Sequence, residues 1–394
     1  MQPTEKRYDR DAFLRRLDAS VLEIRREGTS AKLALNATIF FPEGGGQPAD
    51  RGTITFPGGI AAVTDVHETE GVIWHTVTGL PESAVPGDAV TAELDWSFRF
   101  DKMQQHSGEH ILSGTLHRLF GADNVGFHIG ETIVRMDTNI ALTAQQLRRA
   151  ETEANAAIWQ DVPVEISYPT PDELSSLCYR SKKEIEGQVR IVSIPGADVC
   201  ACCGTHVKTT GQVGLIKILS ADHYKGGERL TVVCGARALR EMQEMRARQA
   251  EIGALLSAKS DQTAVAVRRL NEDYNALKGN HFGMASQCFA AVAASVTPGK
   301  PAIVIMPGLS PDELHRLADA LCGATDALCA ALTPNEKGTG YCLAMAGGDV
   351  RGLAKQLNAA FSGRGGGKPA MCQGSCTDGT PEALQAFLLQ HAEA

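Results

Sequence analysis

Two short segments hold the side chains best suited to chemistry: His106-Ser-Gly-Glu-His110 and Cys202-Cys-Gly-Thr-His206. Each sets two potential metal ligands four residues apart. The first lies in a stretch, Phe98 to Phe120, whose Phe100, Met103, Ile111 and Leu112 recur at a helical period, with Gly121 at its end. Residues i and i+4 share one helix face, so His106 and His110 can aim at one ion. The second follows Pro195-Gly196 and precedes a β-rich run, which predicts a loop or turn. Three imidazoles and one thiolate suit tetrahedral Zn²⁺. Each segment alone also has a plainer reading, as a histidine pair on a solvated helix face or as ordinary buried Cys and His. Both in one chain favour zinc, one ion per chain.

Glu109 makes the first segment H-x-x-E-H, the spacing that gives inverted zinc metallopeptidases two ligands and a general base. Glu109 is therefore the candidate catalytic residue, by polarising a water or by orienting a ligand imidazole. The alternative is a solvated side chain one position off the ligand face.

Three further features concern binding. Gly44-Gly45-Gly46-Gln47 lies between two strands and allows close backbone approach to a ligand, or only a tight β connection. No Gly-Lys-Ser/Thr follows it, so it is not a P-loop. Lys225, Arg229, Arg237, Arg240, Arg246 and Arg248 form the densest local basic cluster, suited to phosphates or paired along a solvated helix face. Gly363 to Lys368, with Arg364, Gly366 and Lys368, joins a predicted helix to a strand, and its amides and cations could hold a phosphate.

The elements that must position these groups follow from patterning. Residues 1–95 read as a β-barrel-like module, with apolar runs at Ala31 to Phe41, Ile60 to Val66, Val72 to Val77 and Ala89 to Leu94. Residues 96–235 read as an α+β domain carrying both motifs, 236–284 as a helical hairpin arm, and 285–394 as an α/β domain. A length of 394 residues accommodates such a division. A net charge of −8 gives no global support for nucleic-acid binding, so any such role rests on local patches. No run of about eighteen apolar residues predicts a membrane span. The polar N-terminus has no signal-peptide stretch, and the eleven scattered cysteines predict a reducing, cytoplasmic setting.

The order FFPEGGGQPADRG, HSGEH, CCGTHV, TGQVGLIKI and YKGGERLTVVCG resembles the editing half of alanyl-tRNA synthetases, and most of all the free-standing alanyl-tRNA editing proteins in their long form. RGGGKPAMCQGSCTD is similar to the C-terminal, tRNA-contacting domain of those synthetases, a DHHA1-like domain. No segment resembles their adenylating core, and the chain begins directly in the β module. The resemblance implies a trans-editing hydrolase acting on tRNA(Ala) wrongly charged with serine or glycine. It places the zinc ligands on His106, His110, Cys202 and His206. It places substrate contacts on Gly45, Gly46, Gln47, Phe127, His128, Arg135, Asp137 and Thr205, and tRNA contacts on Lys225, Arg229, Arg364, Gly366 and Lys368. A homodimer through the C-terminal half also follows from it as an expectation. Two departures stand out. Cys203 replaces the family's glycine, with Cys200 close by, and Glu109 stands where many synthetases have Thr. Two other readings compete: an H-x-x-E-H zinc metallopeptidase, which leaves Cys-Gly-Thr-His unexplained, and a non-catalytic, zinc-containing tRNA-binding protein.

Overall fold

A computed structural model describes residues 2–181 and 187–392. The chain divides into two compact units, Met1–Ala250 and Glu251–Ala394.

The first unit opens with the expected barrel, and the barrel is closed. Strands β1 (Arg16–Glu27), β2 (Ser30–Leu35), β3 (Gly52–Phe56), β4 (Gly59–Thr69), β5 (Val72–Thr78) and β6 (Ala89–Leu94) pair in the order β1-β2-β5-β4-β3-β6, with β6 returning to β1. Alternate residues fill its interior, among them Leu33, Leu35, Ile54, Val66, Ile73 and Val77. β1 carries too many charges to register as a strand in the sequence, yet it twists through twelve residues and closes the sheet.

Helix α1 (Trp96–Phe120) follows at once. The Asp95 carboxylate accepts from the Phe98 amide at its start, and Gly121 ends it in the left-handed region at φ 65°. Its middle is buried on nearly all sides. A four-stranded sheet of β7 (Asn124–Ile129), β8 (Val134–Thr138), β9 (Ile216–Tyr224) and β10 (Gly227–Cys234), in the order β9-β10-β8-β7, lies along it. The helix Ala144–Trp159, opened by a Thr143–Gln146 capping box, packs into the same core through Leu147, Ala150, Ala154 and Ile158. A three-stranded sheet, Glu165–Ser167, Ile191–Ile194 and Asp198–Ala201, leads into the Cys202–His206 segment.

In the second unit a five-stranded sheet is covered on one face by Pro311–Cys322 and on the other by Arg351–Ala360 and Pro381–Ala392. The long helix Thr263–Ala294 packs against Pro311–Cys322 through Phe289. One expectation changes here. Gly363–Lys368 is not a loop but the edge strand of this sheet, paired with Met371–Cys376. Its glycines serve packing. A side chain at Gly365 would strike the Tyr341 hydroxyl and the Gln373 carbonyl, and one at Gly367 the Met371 carbonyl.

Candidate metal centre

The helix and the loop meet as the two spacings require. One ligand atom from each of His106, His110, Cys202 and His206 falls within 4.8 Å of the others. The Cys202 Sγ lies 3.4 Å from the His106 Nε2 and 3.4 Å from the His206 Nε2. Tetrahedral zinc with nitrogen ligands near 2.1 Å and sulfur near 2.3 Å has N-to-S edges of about 3.5 Å. The donor set and its spacing therefore fit that ion. Burial pushes the Cys202 thiol up, but the His106 and His110 rings beside it hold it well below the ordinary range, in its ligating form. Burial also lowers His206 to about 3, which keeps it neutral.

Each imidazole turns its Nδ1 to a fixed partner. His106 Nδ1 donates to the Gln47 Oε1 at 2.8 Å. His110 Nδ1 donates to the Asp198 carboxylate at 2.9 Å, and Arg180 Nε donates to the same carboxylate at 2.8 Å. His206 Nδ1 shares a hydrogen bond with the Ser107 hydroxyl at 3.1 Å. Such partners set the tautomer and leave Nε2 for the ion. Asp198, Arg180 and Ser107 escaped the sequence reading. Asp198 and Arg180 lie at no telling distance from either motif, whereas Ser107 stood inside the first.

Glycines explain why these elements come so close. A side chain on Gly108 would strike the Cys234 Sγ, and one on Gly204 would strike the His106 ring. Arg190, itself buried, holds the ligand loop from within, donating to the Cys202 carbonyl at 2.7 Å and the Gly204 carbonyl at 3.0 Å. Cys203 is exposed and outside the ligand group, and Cys200 is buried beside His110 and Asp198.

The barrel contributes through its glycine loop. Gly44 and Gln47 exchange backbone hydrogen bonds around Gly45 (φ 60°) and Gly46 (φ 81°), a two-residue turn that needs positive φ at both positions. Gly46 rests against Phe127, where a Cβ would find the ring at 2.7 Å. The turn delivers Gln47, fully buried, to the centre. Its Oε1 accepts from His106 and from the Thr205 amide at 3.2 Å, and its Nε2 donates to the Thr205 hydroxyl at 2.8 Å. A buried ion pair anchors the loop's other end: Arg99 on α1 grips Asp50 and donates to the Ala12 and Ile39 carbonyls.

The remaining expected residues separate into two groups. In the register of β7 and β8, Phe127 pairs with Met136, and His128 pairs with Arg135. Side chains alternate across a sheet, so Phe127 faces the buried side, its ring centre 5.2 Å from that of His106. His128 and Arg135 face the exposed side. Asp137 shares that side with Arg229, whose guanidinium takes both its oxygens at 2.7 Å and lies over the Tyr224 ring. Lys225 is exposed beside Tyr224. Glu109 is buried, and its carboxylate accepts from the side-chain Nδ2 of Asn124 on β7. In the second unit, Arg364, Gly366 and Lys368 share one exposed face of the edge strand. No helix among the described residues is long and apolar enough to cross a membrane.

Known proteins share this sequence along most of its length. Residues 189–231 match the family described as threonyl and alanyl tRNA synthetase second additional domain, and residues 299–394 match the DHHA1 domain. Residues 12–98, which form the barrel, match the family described as tRNA synthetases class II (A). The chain is 37% identical over 246 residues to the alanyl-tRNA editing protein AlaX-L of Pyrococcus horikoshii, covering 61% of this chain and 60% of that one. It is 28% identical to the alanyl-tRNA editing protein Aarsd1 of Rattus norvegicus, covering 97% of this chain and 96% of the relative. It is 30% identical to an alanine–tRNA ligase of Methanoregula boonei, of which it spans 42%. The chain is a homologue of the free-standing alanyl-tRNA editing proteins along nearly its whole length, and it carries the second additional domain of threonyl and alanyl tRNA synthetases together with a DHHA1 domain.

Proposed function

We propose that this chain is a trans-editing hydrolase that cleaves the aminoacyl ester of tRNA(Ala) wrongly charged with serine or glycine, in the cytoplasm and with one zinc ion per chain. The observation that carries this reading is the convergence of His106, His110, Cys202 and His206, braced by Gln47 from the barrel, in a homologue of named editing proteins. The ion would be held by those four side chains and would supply positive charge that orients the aminoacyl group. Held by four protein ligands it would keep no position open for a water, which favours orientation over water activation.

The protein's own groups do the rest. Phe127, seated between Gly46 and the His106 ring, forms an apolar wall of the aminoacyl pocket. Gln47 and Thr205 lock the ligand loop to the barrel, so Gly45, Gly46, Gln47 and Thr205 shape the pocket. A pocket built around the serine hydroxyl leaves polar groups unpaired when alanine enters, which is how cognate tRNA is spared. Glu109 is assigned to holding β7, and hence Phe127, through Asn124. His128, Arg135 and Asp137 belong to the outer face of the sheet, where with Lys225 and Arg229 they meet tRNA rather than the amino acid. Arg364, Gly366 and Lys368 present two cations around bare backbone, suited to a tRNA phosphate.

The metallopeptidase reading is disfavoured by the same geometry, since its ion needs an open position and its glutamate a free carboxylate. Three assays separate the alternatives: deacylation of serine-charged tRNA(Ala), peptide hydrolysis, and binding of uncharged tRNA. The editing reading predicts the first and third. Peptide hydrolysis without deacylation contradicts it, and binding alone would make the chain a non-catalytic tRNA-binding protein.

A further inference from the structure

Outside the metal centre, an open groove of roughly 610 Å³ lies at the seam of β3, β6 and the start of α1, lined by Arg15, Arg16, Arg51, Thr53, Glu93 and Asp95. We infer that this groove is a docking site for the phosphate backbone of a base-paired RNA stem, the stem that leads to the single-stranded 3′ end bound at the metal centre. The inference rests on the editing reading above.

The guanidinium groups are held ready. Arg15 lies 4.0 Å over the Trp96 ring and Arg51 4.7 Å over the Phe98 ring, both at the start of α1. Stacking fixes the plane of a guanidinium and leaves its edge N–H groups pointing outward. Among the described residues Arg15 has no carboxylate partner. Arg16 and Arg51 meet carboxylates only at 3.6 Å (Glu93) and 3.7 Å (Glu131), with all four side chains largely exposed. Such pairs hold little energy and exchange readily for phosphate. The Asp95 Oδ1 is engaged in the first turn of α1, accepting from the Phe98 amide and the Ser97 hydroxyl. One more exposed cation rests on a neighbouring aromatic, Lys208 on Phe13. Cations interleaved with aromatic rings are the pattern expected of a nucleic-acid surface.

The groove is also connected to the site. Arg51 follows Asp50 at the end of the loop that carries Gln47 to His106. Its neighbour Glu131 stands beyond the end of β7, where the Ile129 amide donates to the Gly46 carbonyl at 2.8 Å. Along α1, Trp96 precedes His106 by ten residues, which at 1.5 Å per residue is about 15 Å. A short single strand running from the centre spans that distance, so the first paired nucleotides fall at the arginines. The spacing and the flat, backbone-like recognition suit a duplex, not a free phosphate.

The test uses the full chain with all three arginines changed to alanine, and a second variant with all three changed to lysine. Uncharged tRNA(Ala) is titrated across a salt series, and metal content is measured in parallel. The alanine variant should bind at least tenfold more weakly near 0.1 M salt, with a log–log salt slope shallower by about two to three. The lysine variant should recover most of that slope. Metal content, and hydrolysis of a serine ester on a short 3′ oligonucleotide lacking a stem, should match the unmodified chain. Unchanged affinity and slope in the alanine variant would overturn the groove. If the unmodified chain itself neither binds nor deacylates tRNA(Ala), the editing reading falls instead.

Discussion

At the scale of single residues, each candidate ligand imidazole is fixed by a partner outside the ligand group. His106 depends on Gln47, His110 on Asp198 and His206 on Ser107. Loss of such a partner weakens metal binding by about 10- to 100-fold. Gln47→Ala should therefore release zinc to a chelator more readily than the unmodified chain, at unchanged stoichiometry in zinc excess. Cys202→Ala should lower bound zinc outright, and Cys203→Ala should leave it near one per chain. Elemental analysis after dialysis reads all three; full zinc in Cys202→Ala with loss in Cys203→Ala would move the ligand to the exposed thiol. The ligand set was legible because helix and loop each impose a four-residue spacing. The bracing was not, because Gln47 and Asp198 reach the histidines across 59 and 88 residues of sequence.

Elements decide which residues cooperate. Phe127 and His128 are neighbours in sequence and opposites in space, because a strand alternates its faces. A single pocket holding both side chains would join residues that the pleat divides. The start of the helix Ala144–Trp159 is legible in the sequence, since Thr143 and Gln146 write its cap. Gly363–Lys368 was not legible as a strand, since its glycines have poor intrinsic preference for one and are placed there by the close approach of Tyr341 and Gln373.

The barrel holds its own titratable element. His75 is fully buried, its Nδ1 donating to the Leu33 carbonyl at 3.1 Å and its Nε2 accepting from the Thr38 hydroxyl, which in turn accepts from the Phe40 amide. Burial lowers its pKa to about 4. As pH falls below about 6.5 the unfolded chain takes up the proton first, so the stability from the neutral ring is complete above 6.5 and is lost down to about 4. Between pH 7.5 and 5 the barrel should lose roughly 2 kcal/mol on this account. Urea unfolding of the unmodified chain and of His75→Gln at both pH values checks it: the variant should show the smaller loss. Equal losses would place the acid sensitivity elsewhere.

For the whole molecule, the two compact units suggest a division of labour. Both metal motifs, the barrel and the four-stranded sheet lie within Met1–Ala250, and Glu251–Ala394 carries the Arg364–Lys368 edge. A chain ending at Ala250 should fold with its zinc and bind tRNA more weakly, mostly through a higher KM, because distant phosphate contacts add binding rather than chemistry. Loss of zinc on truncation would contradict that division. If the chain forms the expected homodimer through its C-terminal half, the exposed apolar residues along Thr263–Ala294, including Leu270, Tyr274, Leu277 and Phe282, are a face it would bury. Sedimentation of the full and shortened chains compares the two states directly.

The central claim is that the metal centre removes the wrong amino acid from alanine tRNA and spares the right one. The direct measurement is the rate at which the zinc-loaded chain deacylates tRNA(Ala) charged with serine, set against the same tRNA charged with alanine. At least a hundredfold preference for the serine ester is expected, since a site built to bond the substrate hydroxyl rejects an analogue that lacks it. Equal rates on the two esters, or no hydrolysis of either, would contradict it.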